Sequence, residues 1–357
     1  MHTTNSDTNN TVLILGARGR FGLAAARAFA EAGWRVLGQH RAGKVAPTLV
    51  ATRTTLPPEG AVVALGRPGG DAAPPPTAGI EWLGINLNDT QALAQAAEGA
   101  TVVVHALNPA YTNKAWRDEV LPMTDAAIAI TRALGATLMV PGNVYNFGAG
   151  MPALLRENTP QLARTVKGQI RIAMEQHLQH SGVPSIVIRA GDFFGSGSGT
   201  WFDTAMVKEI RKGVFTYPGA PEVPRAWAYL PDLARSFVAV ARQRARLPAF
   251  EVLHFAGHQI TGQRWLDVLA PIAQAQAWGK PGAALKLAQL PWPVIRIGAL
   301  VVATWAALLE MRYLWQTPHA LANDKLTALV GTEPHTPLPQ AVQAALVDLG
   351  FIQGAHA

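Results

Sequence analysis

Three glycines mark the first place where this chain could do chemistry. Gly16, Gly19 and Gly22 stand in the run Gly-Ala-Arg-Gly-Arg-Phe-Gly, directly after the apolar stretch Thr11 to Leu15 and before an alanine-rich stretch with helical patterning that stops at Gly33. Bare positions at that spacing let a strand turn tightly into a helix, let a pyrophosphate approach the backbone and let the helix pack closely. The first backbone amides of the helix then face the anion, with Arg18, Arg20 and Phe21 in the same turn. This setting points to dinucleotide binding rather than to a turn of purely structural use. The next strand ends in Gly38-Gln39-His40-Arg41, with no carboxylate to accept a ribose 2′-hydroxyl. Arg18 and Arg41 offer guanidinium forks suited to a 2′-phosphate, so NADP(H) is expected in preference to NAD(H), with His40 beside them. Two solvated surface arginines are the alternative reading, since arginine is mostly exposed.

The elements that would position these residues alternate along the chain. Thr11 to Leu15, the helix to Gly33 and a strand at Trp34 to Gly38 make one βαβ unit, whose crossover must be right-handed and whose strands must be parallel. Strands are expected at Ile80 to Ile85, Thr101 to His105, Ala136 to Val140 and Pro184 to Arg189. Helices are expected from Thr90, around Val120 to Ala133 and near Thr165 to His180. The fold class is therefore α/β, a Rossmann-type doubly wound parallel sheet over residues 11–190 with a smaller C-terminal substrate lobe over 191–357. That lobe is mostly helical, and part of it is expected to return to the sheet, with Phe250 to Ala256 its clearest strand. Residues 1–10 read as a loose tail. The Pro- and Gly-rich stretch 43–79 reads as an irregular insertion with at most one short strand near Ala61 to Leu65.

Composition excludes several classes. The 357 residues are 49% hydrophobic and only 15% charged, which leaves ample core material and rules out a wholly disordered chain. With no cysteine there is no disulfide, thiolate nucleophile or cysteine-ligated zinc. The net charge is +7, but the basic residues form no run of the kind that nucleic-acid arms use, so a small anionic ligand is the expected partner rather than nucleic acid. His177 and His180 lack a third ligand nearby in sequence, and no metal site is expected. The first ten residues fit no signal peptide, so a cytoplasmic location is expected. The apolar stretch Ile297 to Leu309 is too short to span a bilayer and reads as a buried helix of the C-terminal lobe, with monotopic membrane contact as the minor alternative. A homodimer is compatible with all of this.

The glycine spacing GxxGxxG, with segments that follow it, resembles the short-chain dehydrogenase/reductase superfamily, in particular its extended and atypical members grouped with NAD-dependent epimerases and dehydratases. The resemblance runs from Thr11 to about Leu349. It implies that Asn86 and Leu87, in Asn-Leu-Asn-Asp after the third strand, border the adenine. It likewise implies that Ala106, Leu107 and Asn108, in His-Ala-Leu-Asn-Pro after the fourth, border the nicotinamide ribose. The segment Ile188 to Gly195 resembles the family's stretch near the nicotinamide amide and substrate, which brings in Asp192 and Phe193. Arg225 matches the family arginine that holds a substrate phosphate. Trp201, Trp227 and Tyr229 either line the cleft or belong to the core, and Ser196-Gly197-Ser198-Gly199 reads as a flexible loop over it.

Family catalysis uses a tyrosine and a lysine four apart on a helix, plus a serine or threonine at the end of the fifth strand. Here Lys167 takes the lysine's place and is expected to bind the nicotinamide ribose. The position four before it is Ala163, and Pro141 sits where the hydroxyl is expected. Tyr145 and Tyr111 are the candidate replacement acids, and Asn143 could orient a carbonyl without supplying a proton. The implied activity is NADP(H)-dependent oxidation or reduction of a small carbonyl or alcohol substrate. The rivals are a sugar-nucleotide epimerase or dehydratase and a non-catalytic dinucleotide sensor.

Overall fold

Runs of β-branched residues bounded by glycine turns, each followed by an amphipathic helix, can bury both faces of a sheet only if the helices cover it on both sides. The computed structural model, which describes residues 10–41 and 79–353, has that arrangement. Its elements are β1 (Thr11–Leu15), α1 (Arg20–Glu31), β2 (Arg35–Gln39), β3 (Ile80–Leu83), α2 (Thr90–Ala96), β4 (Ala100–His105), α3 (Asn113–Leu134), β5 (Thr137–Gly142), β6 (Leu154–Leu155), α4 (Val166–His180), β7 (Ser185–Arg189) and β8 (Asp192–Phe194). They continue with β9 (Val214–Tyr217), β10 (Arg225–Tyr229), α5 (Leu230–Gln243), β11 (Phe250–His254), β12 (His258–Ile260), α6 (Gly262–Ala275), β13 (Lys286–Gln289), α7 (Trp292–Gly298), α8 (Ala303–Glu310), β14 (Ala320–Leu321), α9 (Asp324–Val330) and α10 (Leu338–Asp348).

Seven parallel strands form the main sheet in the order β11-β7-β5-β4-β1-β2-β3. The chain winds outward from β1 in one direction and then in the other, so the strand order reverses between β1 and β4. In open α/β sheets ligands bind in the crevice at the carboxyl ends of the strands at such a point. One face of the sheet packs under α1 and α5 through Phe21, Phe29, Leu233 and Phe237. The other packs under α3 and α4 through Trp116, Ile130, Met174 and Leu178. A separate aromatic core, with Phe202, Tyr217, Trp227, Trp265 and Trp315, holds together the smaller sheets and the C-terminal helices.

Several element ends differ from the sequence expectation for local reasons. Trp34 closes the helical turn by donating its amide to Phe29, so β2 starts one residue later. Helix α3 begins at Asn113 rather than near Val120, because the Thr112 hydroxyl caps it by accepting the Ala115 amide at 3.1 Å. Its first turns expose Lys114, Arg117 and Asp118, and such residues hide a helix from an apolar-pattern reading. The strand expected at Phe250 to Ala256 is the edge strand of the main sheet, paired with β7. The stretch Ile297 to Leu309 is not a buried helix. It is the end of α7, an exposed turn and most of α8, with Ile297 70%, Leu300 85% and Val301 87% exposed. Among the described residues no helix is long and apolar enough to cross a membrane. The tail residues 1–9, the strand near Ala61 to Leu65 and nearly all of the 43–79 insertion lie outside the described residues.

Candidate active site

The glycine turn joins β1 to α1 and faces the strand-order reversal. Gly16 has φ +76°, a conformation that side chains rarely tolerate, and a Cβ there would lie 2.9 Å from Leu107 Cδ2. A Cβ on Gly22 would lie 2.3 Å from the Gly16 carbonyl oxygen, so α1 can start this close to β1 only with glycine there. The N-cap of α1 is Gly19, no side chain caps the helix, and its first turn carries no acidic residue. Its leading amides are thus left for an anion. Two buried nitrogens in the same turn, Arg18 Nε and Arg20 Nη1, have no hydrogen-bond partner. Unpartnered buried donors around a bare helix start fit the pyrophosphate of a dinucleotide.

At the end of β2, Gln39 accepts the Gly16 amide at 3.0 Å and donates to the Ile85 carbonyl at 2.8 Å. It clamps the turn to the segment after β3, a role that its sequence position did not suggest. His40 packs edge-on against Trp82 and Arg41 is exposed. Asn86 forms a local turn with the Asn88 amide, and Asp89 caps α2. Ala106, Leu107 and Asn108 follow β4 directly, with Leu107 over Gly16. These residues ring the carboxyl ends of β1, β2, β3 and β4.

A second group of side chains meets beside them. Thr165 caps α4 by accepting the Gly168 amide at 3.2 Å, so Lys167 is the second residue of the helix. Ala163 precedes the helix, and the residue one turn from Lys167 on the same face is Arg171. The Lys167 side chain is fully buried. Its ammonium donates to Asn113 Oδ1, lies 3.7 Å from Glu310 Oε2 and sits 4.6 Å from the Tyr111 ring centre. Burial pulls its pKa down from 10.5 to about 8; Glu310 opposes that shift and Arg117 adds to it. Arg171 lies over the Trp116 ring at 5.1 Å, and its own pKa is lowered by burial.

Tyr111 and Tyr145 flank Trp116, at 6.3 and 6.1 Å between ring centres. The Tyr111 hydroxyl is buried without a hydrogen-bond partner, and burial first, then Tyr145, Asp192 and Glu310, push its pKa well up. Burial and Asp192 push Tyr145 up to about 12. Asn143 accepts the Tyr145 amide at 3.0 Å and so shapes the turn that carries Tyr145. Arg20 joins the two groups: burial lowers its pKa, while Asp203 and Tyr145 act on it in the opposite sense. Arg20, in the glycine turn, is therefore close enough to Tyr145 for their charges to interact.

Asp192 and Arg225 form a buried ion pair on neighbouring parallel strands, β8 and β10. Arg225 stacks 3.6 Å from the Trp315 ring centre, and its Nε and Nη1 have no hydrogen-bond partner. Phe193 lies between Asp192 and the core residue Phe194. Trp201 packs against Trp315 in the aromatic core, where Trp227 and Tyr229 also lie. The Ser196 to Gly199 loop is pinned rather than free. Ser196 donates its amide to Asp348, and Asp203 accepts the amides of Gly199 and Thr200. His177 pairs with Asp125 at 2.5 Å, and His180 sits against the Gln176 carbonyl.

Sequence reasoning missed Arg171, Glu310 and Tyr313. The threonine cap at Thr165 was the available signal for Arg171, because it sets the helix register. Glu310 and Tyr313 arrive from more than 140 residues away, at the end of α8 and just after it, and no local pattern announces them. Glu310 accepts the Val166 amide at the start of α4, and Tyr313 lies over the Tyr145 carbonyl at 3.5 Å.

The model of the NAD dependent epimerase/dehydratase family matches residues 12–254. Among solved structures, UDP-glucuronic acid 4-epimerase from Bacillus cereus, bound to UDP-glucuronic acid and NAD, is similar at 13% identity and a TM-score of 0.66, covering 96% of this chain and 99% of that one. WbmH of Bordetella bronchiseptica, bound to NAD+, is similar at 15% identity and 0.64, covering 95% and 98%. The NDP-hexosamine 5,6-dehydratase TunA is similar at 15% and 0.61, covering 94% and 96%. No curated protein sequence matches the chain.

Proposed function

The chain belongs to the NAD dependent epimerase/dehydratase family, and from that premise we propose that it is an enzyme that oxidises and re-reduces a sugar carbon within a nucleotide-linked substrate. This reading is preferred to a stand-alone carbonyl reductase because the family is one of epimerases and dehydratases, and similar structures are named for UDP-glucuronic acid and an NDP-hexosamine. The bound nicotinamide would supply reversible uptake of hydrogen with its electron pair from a secondary alcohol. NADP(H) is the proposed form, since no carboxylate stands at the end of β2 and Arg18 and Arg41 flank that end. Gly16, Gly19, Gly22, Arg18, Arg20 and Phe21 would hold the pyrophosphate side. His40, Arg41, Asn86 and Leu87 would border the adenosine, and Ala106, Leu107, Asn108 and Phe193 the nicotinamide side.

The observation that carries the chemistry is the buried amine of Lys167 at the start of α4, facing Tyr111 and Glu310 in the cleft. With Arg171 one turn on, the pair on this helix is Lys167 and Arg171, so we assign proton transfer to Lys167 and the supporting positive charge to Arg171. As a free amine Lys167 takes the substrate hydroxyl proton, and as an ammonium it returns one. Tyr111 and Tyr145 stay protonated at neutral pH and donate hydrogen bonds to the same oxygen. Asn143 holds the turn that aims Tyr145. Arg225, with two unpartnered nitrogens, is the proposed anchor for a substrate phosphate, braced by Asp192, and Trp201 backs the aromatic wall behind it.

The deciding experiment incubates the enzyme and catalytic NAD+ or NADP+ with a panel of UDP- and dTDP-hexoses and hexuronic acids, and follows sugar stereochemistry and dehydration by proton NMR. An epimer or a dehydrated product supports the proposal. In a parallel incubation with simple ketones and stoichiometric NADPH or NADH, ketone reduction with no change in any sugar nucleotide of the first incubation returns the assignment to a carbonyl reductase. Cofactor binding without turnover of either substrate class makes the protein a dinucleotide sensor.

A further inference from the structure

Of the six large hydrophobic residues that stand exposed among the described residues, four lie together: Val294, Ile297, Leu300 and Val301. They occupy the outer face of α7 and the turn that joins it to α8. The turn is built from Ala299, Leu300, Val301 and Val302, with no polar side chain to cover it. Water-facing turns normally carry Gly, Asn, Asp or Ser, so an apolar turn at this exposure is built for contact.

The support beneath the turn is firm. Trp292 and Ile295 of α7 and Ala307 and Leu308 of α8 are buried, and the Trp292 indole donates to the Pro218 carbonyl at 2.6 Å. Gly298 lets the two helices meet closely: a Cβ there would lie 2.1 Å from the Trp305 ring. The apolar tip is thus held out by a rooted pair of short helices.

A cation stands on the same short helix as the tip. Arg296 is exposed and lies within α7 between Ile295 and Ile297. The whole chain carries +7. An exposed apolar tip with an arginine on its own helix is a composition that enters the headgroup layer of an anionic bilayer. A second copy of this chain fits less well, since a stable interface takes about 20–30 residues a side and this tip offers four large apolar side chains beside Arg296, which would face its own copy.

We infer that the turn between α7 and α8 is a monotopic docking site for anionic lipid surfaces, inserting Ile297, Leu300 and Val301 while Arg296 meets the headgroups. This inference is independent of the catalytic proposal. The same α8 ends at Glu310, which reaches the start of α4, so a docked molecule holds its candidate site one short helix from the lipid.

Co-sedimentation of the full chain with large unilamellar vesicles tests this. Vesicles of phosphatidylcholine alone are compared with vesicles containing equal parts of phosphatidylglycerol. The expected result is partitioning about tenfold stronger onto the anionic vesicles, weakened by salt. The Leu300→Ser/Val301→Ser variant should lower it by about tenfold or more, and Arg296→Glu should lower it on anionic vesicles alone. Both sites are exposed, and circular dichroism confirms that the variants fold. Absence of binding to either vesicle overturns the inference, as does binding that the double substitution leaves intact. Sedimentation velocity showing a wild-type dimer that the double variant dissolves, without vesicle binding, assigns the tip to a second copy and equally overturns it.

Discussion

Replacing Lys167 by methionine keeps most of the side-chain volume and removes the titrating amine. With a pKa of about 8 instead of 10.5, the fraction of free amine at pH 7 is about one in ten rather than about one in three thousand. Burial therefore raises the supply of the base roughly 300-fold. That shift also has a stability consequence of determinate sign. The folded pKa lies below the unfolded one, so between about 8 and 10.5 the unfolded chain binds more protons, and stability contributed by this group rises with pH across that window. Below 8 the buried ammonium costs, net of the help Glu310 already gives it, on the order of 3 kcal/mol. In the oxidising direction, kcat/KM of the wild type should rise with pH and level off near 8. Lys167→Met should lower kcat by about 10²- to 10⁴-fold and abolish that limb. Lys167→Arg should fail similarly, because guanidinium does not give up its proton. The assay is product formation by NMR or coupled absorbance from pH 6 to about 9.5, with cofactor affinity measured separately by fluorescence titration. A wild-type profile flat across pH 8, or a methionine variant that keeps most of its kcat, refutes the role given to Lys167 and moves attention to Tyr145 and Tyr111, tested by Tyr→Phe.

The remaining predictions concern the cofactor and the core. Arg41→Ala and Arg18→Ala should each cut the preference for NADPH over NADH by about 1.5–3 kcal/mol if a charge-assisted bond to the 2′-phosphate is lost; equal affinities in the wild type would remove the basis for that preference. Gly22→Ala places a Cβ 2.3 Å from the Gly16 carbonyl oxygen and should abolish dinucleotide binding while costing about 1–3 kcal/mol in urea denaturation, an outcome contradicted by normal titration of the variant. Glu175 and Arg189 form a buried bidentate pair, with 3.0 and 2.5 Å contacts, that ties α4 to β7. Glu175→Gln leaves the guanidinium without its countercharge and should destabilise the fold by about 3–5 kcal/mol, whereas a loss under 1 kcal/mol would show that His254 and the Glu157 carbonyl suffice.

The parallel sheet and its glycine turn were legible in the sequence because both rest on local rules. Period-two and unbroken apolar runs mark buried strands, and bare positions at a strand-to-helix junction can be read without knowing what lies across the cleft. The right-handed crossover then follows from strand twist alone. Strand and helix ends slipped where one side chain decided them, as with the Thr112 cap before α3. The cleft's chemistry was less legible. Lys167 was visible as a residue, but its partner in spacing depends on where α4 begins, and its readiness to lose a proton depends on burial against Trp116, Tyr111 and Asn113 and on a carboxylate from Glu310, 143 positions away. Arg225 carried its charge in the sequence, while its pairing with Asp192 and its stacking on Trp315 exist only once β8, β10 and the C-terminal helices have met. Likewise the apolar stretch from Ile297 has the composition of a buried helix. Only its break at the turn after Gly298, where the backbone lies close against the Trp305 ring, leaves those side chains on the outside. Local sequence determines which backbone a segment prefers, because propensity and periodicity act within a few residues; protonation, pairing and exposure depend on atoms brought together from distant segments, and only the folded chain sets them.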